Sequence, residues 1–352
     1  MSAPNAGVTA RPGSSSETKG NLPTSDEHAA RVARIRSLPG GPMLWVLGAL
    51  VVVSVVLTDG VFIRPSNLTT VLFQSSVIGV LALAQAFAVL CKGLDLSVGA
   101  TAILAAMVTG GASSVEATFM PHLPLPLAIL AGLAVGLSVG VLNGLVVGFT
   151  PVPPFIVTLS TYLLVVGVTF LATGAAPVTE PDERIQGFGD ANVLFVPAPV
   201  LVWVLFIVLA SVLLGRTKYG HMVYAVGGNE TAARLSGVSV PRVKIIVYAT
   251  AGLFAAVAGM LFLARTGTVL PSDGESFMLD SIAAVAVGGL SLAGGAGRVR
   301  DVVLGVLVLA VVGNLLNILG VSQYLQTAVQ GVIILVAVGA TLRLGRRSGA
   351  TP

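Results

Sequence analysis

The sequence predicts an all-α fold: a polytopic membrane protein of about ten transmembrane helices, some of them broken or re-entrant, with both termini cytosolic. Three observations lead there. Of the 352 residues, 55% are hydrophobic and only 10% charged, which lies outside the range of soluble globular domains. Apolar runs of roughly 17 to 25 residues recur, the length that crosses a hydrocarbon core of about 30 Å as a helix. The 42 glycines suit helices packed main chain to main chain in lipid, where small residues replace the hydrophobic drive of water. Long alternation of period two is missing, which argues against an outer-membrane barrel.

The elements are taken in chain order. Residues 1–40 are polar, bear Ser, Gly and Pro, and end in Arg31, Arg34 and Arg36, so they read as a disordered cytosolic tail. A secretory signal would place an apolar core where this tail is polar. Spans are expected at 43–58, 68–90, 96–112, 125–149, 155–173, 196–214, 241–264, 277–294, 301–318 and 323–342. The third and eighth, GLDLSVGATAILAAMVTGG and FMLDSIAAVAVGGLSLAGG, are short or broken by glycine. Such helices are tolerated only when buried in protein or lining a cavity. Pro151, Pro153 and Pro154 make a stiff turn between the fourth span and the fifth. A membrane domain is thus expected over 41–343, interrupted by a polar loop at 215–244 and followed by a short basic tail at 344–352.

Charge placement tests the count. With the N-terminus inside, the inner loops hold Lys92, Arg216, Lys218, Arg234, Arg242, Lys244, Arg298, Arg300, Arg343, Arg346 and Arg347, and the outer loops only Arg64, Arg184 and Arg265. Eleven against three obeys the positive-inside rule, and one span more or fewer would spoil it. The net charge of +4 is therefore a matter of membrane orientation and implies no nucleic-acid partner.

No catalytic constellation is visible. Cys91 is the only cysteine, and His28, His122 and His221 do not pair at ligand spacing, so no metal site is expected. No G-x-x-x-x-G-K-[ST] phosphate loop, no H-E-x-x-H and no G-x-S-x-G occurs, and an enzyme is not expected.

The polar loop contains a helix signal. Asn229 can cap by accepting from main-chain N–H groups ahead of it, Glu230 complements the positive helix start, and Gly237 supplies a left-handed stop. Ala232, Ala233 and Leu235 offer a small apolar face and Arg234 a charged one. This element reads either as an ordinary interfacial helix or as a handle docking on a cytosolic partner.

Polar groups inside the spans are candidates for a solute pathway: Gln74, Gln85, Asn143, Thr158, Thr161, Asn314, Asn317, Gln326 and Gln330. Amides in a bilayer must find partners, so some would bond between helices instead. Asp95 is read either as the partner of Lys92 at the inner rim or as the cap of a broken helix near the pathway; Asp280 either caps its helix or faces the entrance vestibule. Few charges lie at mid-membrane, which argues against a proton- or sodium-coupled carrier, and a neutral sugar would need no fixed charge.

The run YAVGGNETAARLSGVSVPRVKIIVYATAGLFAAVAG resembles the cytoplasmic loop and following span of ribose/xylose/arabinose-type ABC transporter permeases. ALAQAFAVLCKGLDLSVGA at 82–100, VLNGLVVGFTPVPPFIVTLST at 141–161 and ESFMLDSIAAVAVGGLSLAGGAG at 275–297 are similar to the same family, in family order. The resemblance implies a multi-pass subunit of a bacterial cell membrane. Its implied partners are itself or a sister permease, a cytosolic ATPase subunit carrying ATP and magnesium, and an extracytoplasmic sugar-binding protein; no cofactor is implied on this chain. By resemblance, Gly228, Asn229, Glu230, Ala232, Ala233, Arg234 and Gly237 fall on the loop that couples the permease to its ATPase. Cys91 and Lys92 depart from the two small residues usual there. The implied cargo is a pentose or related monosaccharide; a nucleoside, amino acid or furanone remains open within the family, and a stand-alone channel or secondary carrier outside it.

Overall fold

A computed structural model describes residues 41–115, 119–193 and 196–348. Residues 1–40, expected as a tail, lie outside them, and the helical bundle belongs to the unit from Met43 onward. The helices are α1 (Gly41–Leu57), α2 (Pro65–Leu90), α3 (Val98–Ser113), α4 (Leu125–Phe149), α5 (Pro154–Thr173), α6 (Glu183–Asp190), α7 (Ala198–Arg216), α8 (Lys218–Gly228), α9 (Glu230–Leu235), α10 (Val240–Thr266), α11 (Gly274–Val287), α12 (Val299–Ile318) and α13 (Gln323–Ser348). A one-turn 3-10 helix at Val61–Ile63 precedes α2, and a two-stranded antiparallel ribbon, β1 (Asn192–Val193) with β2 (Val196–Pro197), precedes α7.

Local chemistry explains the boundaries. Pro65, Pro126, Pro154, Pro199 and Pro241 each stand at the first or second position of a long helix, where the missing N–H costs nothing. Gly174 and Gly267 close α5 and α10 in the left-handed conformation. In the loop ahead of α6, Asp182 accepts three hydrogen bonds from Arg184, from its main-chain N–H and two guanidinium N–H groups, and these hold its carboxyl down at about 2.

Each of the ten expected spans falls on a helix. Six helices (α2, α4, α5, α7, α10 and α12) are long and apolar enough to cross a membrane. The helices α1, α3 and α13 carry shorter apolar stretches, and α11 has 14 residues. At 1.5 Å per residue α11 is about 21 Å long and falls short of a bilayer core. The eighth span, expected to reach 294, stops at Val287 because Gly289, Gly294, Gly295 and Gly297 take positive φ and lead the chain out as a loop. The last helix runs on to Ser348, so residues 344–348 of the expected basic tail are helical.

The core is α2, whose residues from Ser75 to Leu90 are buried with the single exception of the half-buried Ile78. Against it pack chiefly α10, α7, α12 and α11. The indole of Trp203 on α7 lies over Gly79, where a Cβ would come within 2.1 Å of the ring nitrogen. On the periphery, α1, α4, α5 and α7 turn apolar side chains such as Val56, Leu142, Leu164 and Leu205 outward, as a lipid-facing surface requires.

The closest seam joins α4 to α10. Gly132, Gly136, Gly140, Gly144 and Gly148 repeat every four residues and form one ridge of α4. Cβ atoms at Gly136, Gly140 and Gly144 would lie 2.5 Å from Gly252 O, 2.2 Å from Tyr248 O and 2.5 Å from Ile245 Cα, and one at Gly252 would lie 2.1 Å from Gly136 O. The two backbones touch. Gly252→Leu is therefore expected to destabilise the protein by about 3 kcal/mol, the upper end of overpacking costs. Gly167→Ala, with nothing within 4 Å of a new Cβ, should be neutral or slightly stabilising. Thermal unfolding of both variants in detergent checks this.

Candidate functional site

The expected polar loop at 215–244 is helical almost throughout, because α7, α8, α9 and α10 succeed one another with short breaks. Asn229 caps α9, its Oδ1 accepting from Ala232 N at 3.0 Å. At the other end Val238 N donates to Ala233 O and Gly237 N to Arg234 O, both at 3.0 Å, with Gly237 at φ 84°. That paired pattern is a Schellman stop. Glu230 bridges Arg234 at 3.2 Å and Lys244 of α10 at 3.1 Å, which fixes α9 against the next helix. The apolar face is divided: Ala233 packs inward at 5% exposure, whereas Ala232 is exposed and Leu235 stands out at 85%.

The preceding helix, α8, goes beyond the helix signal read from the loop. Its Val223, Val226 and Gly227 are buried, a spacing visible in KYGHMVYAVGG. A Cβ on Gly227 would lie 1.8 Å from Leu90 O and 2.8 Å from Gly295 N, and Gly295 N itself donates to Leu90 O at 3.0 Å. Tyr224 donates its hydroxyl to Gly297 O at 2.9 Å. The base of the α8–α9 hairpin thus lies directly on the end of α2 and the glycine loop after α11; Gly228 has its main chain against Gly295 and open space only where a side chain would stand.

At the break between α2 and α3, Lys92 is exposed and makes no ion pair with Asp95. Instead Asp95 is 3% exposed and its Oδ1 accepts from Ser97 N at 2.9 Å and Ser97 Oγ at 2.6 Å, an Asx-turn leading into α3. The amide of Gln85, turned to suit both partners, donates to Asp95 O at 2.9 Å and accepts from Asp95 N at 3.3 Å. Asn143 donates to Ser97 Oγ at 2.8 Å and accepts from Thr161 Oγ1 at 2.7 Å. Thr158 donates to Leu94 O at 2.9 Å and accepts from Leu96 N at 3.1 Å. Gln85, Asn143, Thr158 and Thr161 are therefore consumed in tying α2, α4 and α5 to the break. Asn314 is likewise engaged, in a reciprocal amide pair with Asn67 at 2.9 and 2.8 Å.

The remaining candidates converge. Gln74, Asn317, Gln326, Gln330 and Asp280 line one cavity of about 460 Å³ among α2, α10, α11, α12 and α13. That volume suits a small organic solute. Phe262 and Phe277, edge to face at 4.9 Å, add aromatic wall, and Gln330 donates to Asp280. Arg265 also lines the cavity, with Cζ 4.9 Å from the centroid of the Phe73 ring. Read from the sequence as a loop cation, Arg265 instead belongs to the last turn of α10; an arginine two residues ahead of a helix-ending glycine was the available signal.

The cavity and the hairpin occupy opposite ends of the same helices. Gln74 and Leu90 are 16 residues apart on α2, about 24 Å along the axis.

The sequence pattern of the family described as "Branched-chain amino acid transport system / permease component" matches residues 67–338. The chain belongs to this permease family. Among its relatives, the ribose import permease of Bacillus subtilis (strain 168) is 38% identical over 305 residues, covering 85% of this chain and 91% of that one. The galactose/methyl galactoside import permease of Escherichia coli (strain K12) is 35% identical over 311 residues, 84% of this chain and 92% of that one. The fructose import permease of Rhizobium meliloti is 34% identical over 313 residues, 86% and 85% of the two chains. No solved structure matches.

In this permease the polar break around Asp95 is a structural joint. Asn143→Ala takes away the acceptor of the Thr161 hydroxyl and the donor to Ser97 Oγ, which keeps its own bond to Asp95, and a loss of about 1–3 kcal/mol is expected. Calorimetric unfolding in detergent measures it.

Proposed function

We propose that the chain is the membrane-spanning subunit of an ATP-driven importer for a simple sugar, a pentose or related monosaccharide. The observation that carries this reading is the cavity: amides, two aromatic rings and hydrogen-bonding charges at one end of the bundle, in a chain related to three permeases named for ribose, galactose and fructose. Amides that both donate and accept match hydroxyls, which do the same.

Ten membrane segments leave both termini in the cytosol, the short α11 completing its crossing with the glycine loop that follows it, an orientation supported by the excess of Lys and Arg on the α8–α9 side. The cavity then faces outward and receives sugar from an extracytoplasmic binding protein. The hairpin faces a cytosolic ATPase, where ATP and magnesium bind, since this chain has no phosphate loop. Leu235, Arg234, Ala232 and Gly237 are presented to the ATPase, while Asn229 and Glu230 hold the hairpin's form. A second copy or a sister permease completes the membrane unit in a bacterial cell membrane.

ATP can bias the bundle only if the hairpin contacts its partner differently in two states. Movement of the hairpin would reach α2 through the Gly227–Leu90 contact and the cavity through α2. A second reading, favoured by opposite charges on one cavity wall, is a zwitterionic amino acid as cargo, with its carboxylate at Arg265 and its ammonium at Asp280.

Glu230→Ala and Arg234→Ala variants are expected to insert and fold yet lose uptake at least about tenfold while the associated ATPase stays active. Parallel assays of uptake and ATP hydrolysis in membranes test this. Normal uptake in both variants, or a chain that co-purifies with no nucleotide-binding protein, would remove the proposal.

A further inference from the structure

A neutral sugar calls for no fixed charge along its route, yet the cavity wall carries both Arg265 and Asp280. The two do not pair: among the described residues no carboxylate lies within 4.0 Å of the Arg265 guanidinium, and no hydrogen-bond acceptor reaches it. Each charge has its own support. The Phe73 ring lies beneath the guanidinium, and Gln330, from α13, donates to Asp280.

Stacking on a ring fixes the plane of a guanidinium and leaves its edge, where the N–H donors lie, free. A half-buried arginine with five donors and no protein acceptor is a group waiting for an acceptor-rich molecule. We propose that Arg265 is the specificity-determining residue of the cavity, donating paired N–H bonds to two adjacent oxygens of the sugar while Asp280 accepts from a hydroxyl on its other side. A vicinal diol fits this because each hydroxyl accepts on one side and donates on the other. The inference rests on the sugar reading and adds which side chain selects among sugars. The positions of neighbouring hydroxyls relative to a fixed, planar fork then decide which sugar passes.

The test uses the native host with chromosomal variants, measuring uptake of labelled D-ribose, D-galactose, D-fructose and L-leucine alongside the amount of permease in the membrane. For the best sugar, Arg265→Gln should lower uptake about tenfold or more, the worth of hydrogen bonds to a charged group. It should also change the ranking of the three sugars, which a merely structural defect would not do. Arg265→Lys should restore part of the rate, and Phe73→Leu should give an intermediate loss with the same change of ranking. Asp280→Asn should cost less than about threefold, because an amide oxygen still accepts. If Arg265→Gln fails to reach the membrane, Arg265→Lys and Phe73→Leu decide. Unchanged ranking in the variants that reach the membrane, with sugars still carried, overturns the role of Arg265 and leaves the sugar reading standing. Uptake of leucine instead of any sugar, abolished by Asp280→Asn, or uptake of none of the four, overturns both.

Discussion

The carbonyl of Leu90 is the point on which α2, α8 and the loop after α11 are fastened together. It belongs to the last turn of α2, where helix carbonyls lack partners within the helix, and it is satisfied by Gly295 N–H from the loop after α11. Gly227 of α8 lies flush against the same atom. Three distant segments therefore meet main chain to main chain at this atom, with the Tyr224 hydroxyl on Gly297 O beside it. Side chains can hop between rotamers and absorb a displacement, whereas main chain pressed on main chain has no such slack. The end of α2 is thus fitted directly to α8, and α2 is the most completely buried of the six long apolar helices among the described residues.

The second constraint is how a carboxylate survives in that interior. Asp95 has no cation beside it, and placing an aspartate in a membrane core costs several kcal/mol on insertion scales, about 2.5–3.5. Here the side chain is spent on Ser97, and Gln85 satisfies the main chain of Asp95. Asn143 and Thr158 extend the set to α4 and α5. The break between α2 and α3 thus becomes a fastening point. Without it, the polar main chain of the break would be buried with fewer partners.

Much of the architecture could be read from the sequence because membrane helices announce themselves by length and apolarity. The boundaries were legible wherever proline or glycine set them, as at Pro154, Gly174 and Pro241. The α9 cap and stop were equally plain, since Asn229 and Gly237 act on their immediate neighbours. What escaped were features fixed by distant contacts. The end of α11 at Val287 depends on a glycine loop packing against Leu90 and Gly227. The division of the intramembrane amides was also invisible: Gln74 and Gln330 face a cavity, while Gln85 is spent on Asp95 and Asn143 on Ser97 and Thr161, and composition is the same in both cases. Arg265 looks like a solvent-facing residue because its neighbours Thr266 and Gly267 resemble a loop, although the helix holds to Thr266. The four-residue glycine period of α4 was present in the sequence throughout, and it marks the partner-facing side of that helix.

That glycine period has a mechanical meaning. Two rods in contact along most of their length, with no pliable filling between them, behave as a single plank, and neither can tilt alone without prising the whole seam open. The Gly305 contact with Ala284 O makes a smaller plank of α11 and α12. Any rocking that opens or shuts the chamber must then take place along the boundary separating these stiff pieces. The wall of α13, whose main attachment is to α11, lies outside both planks.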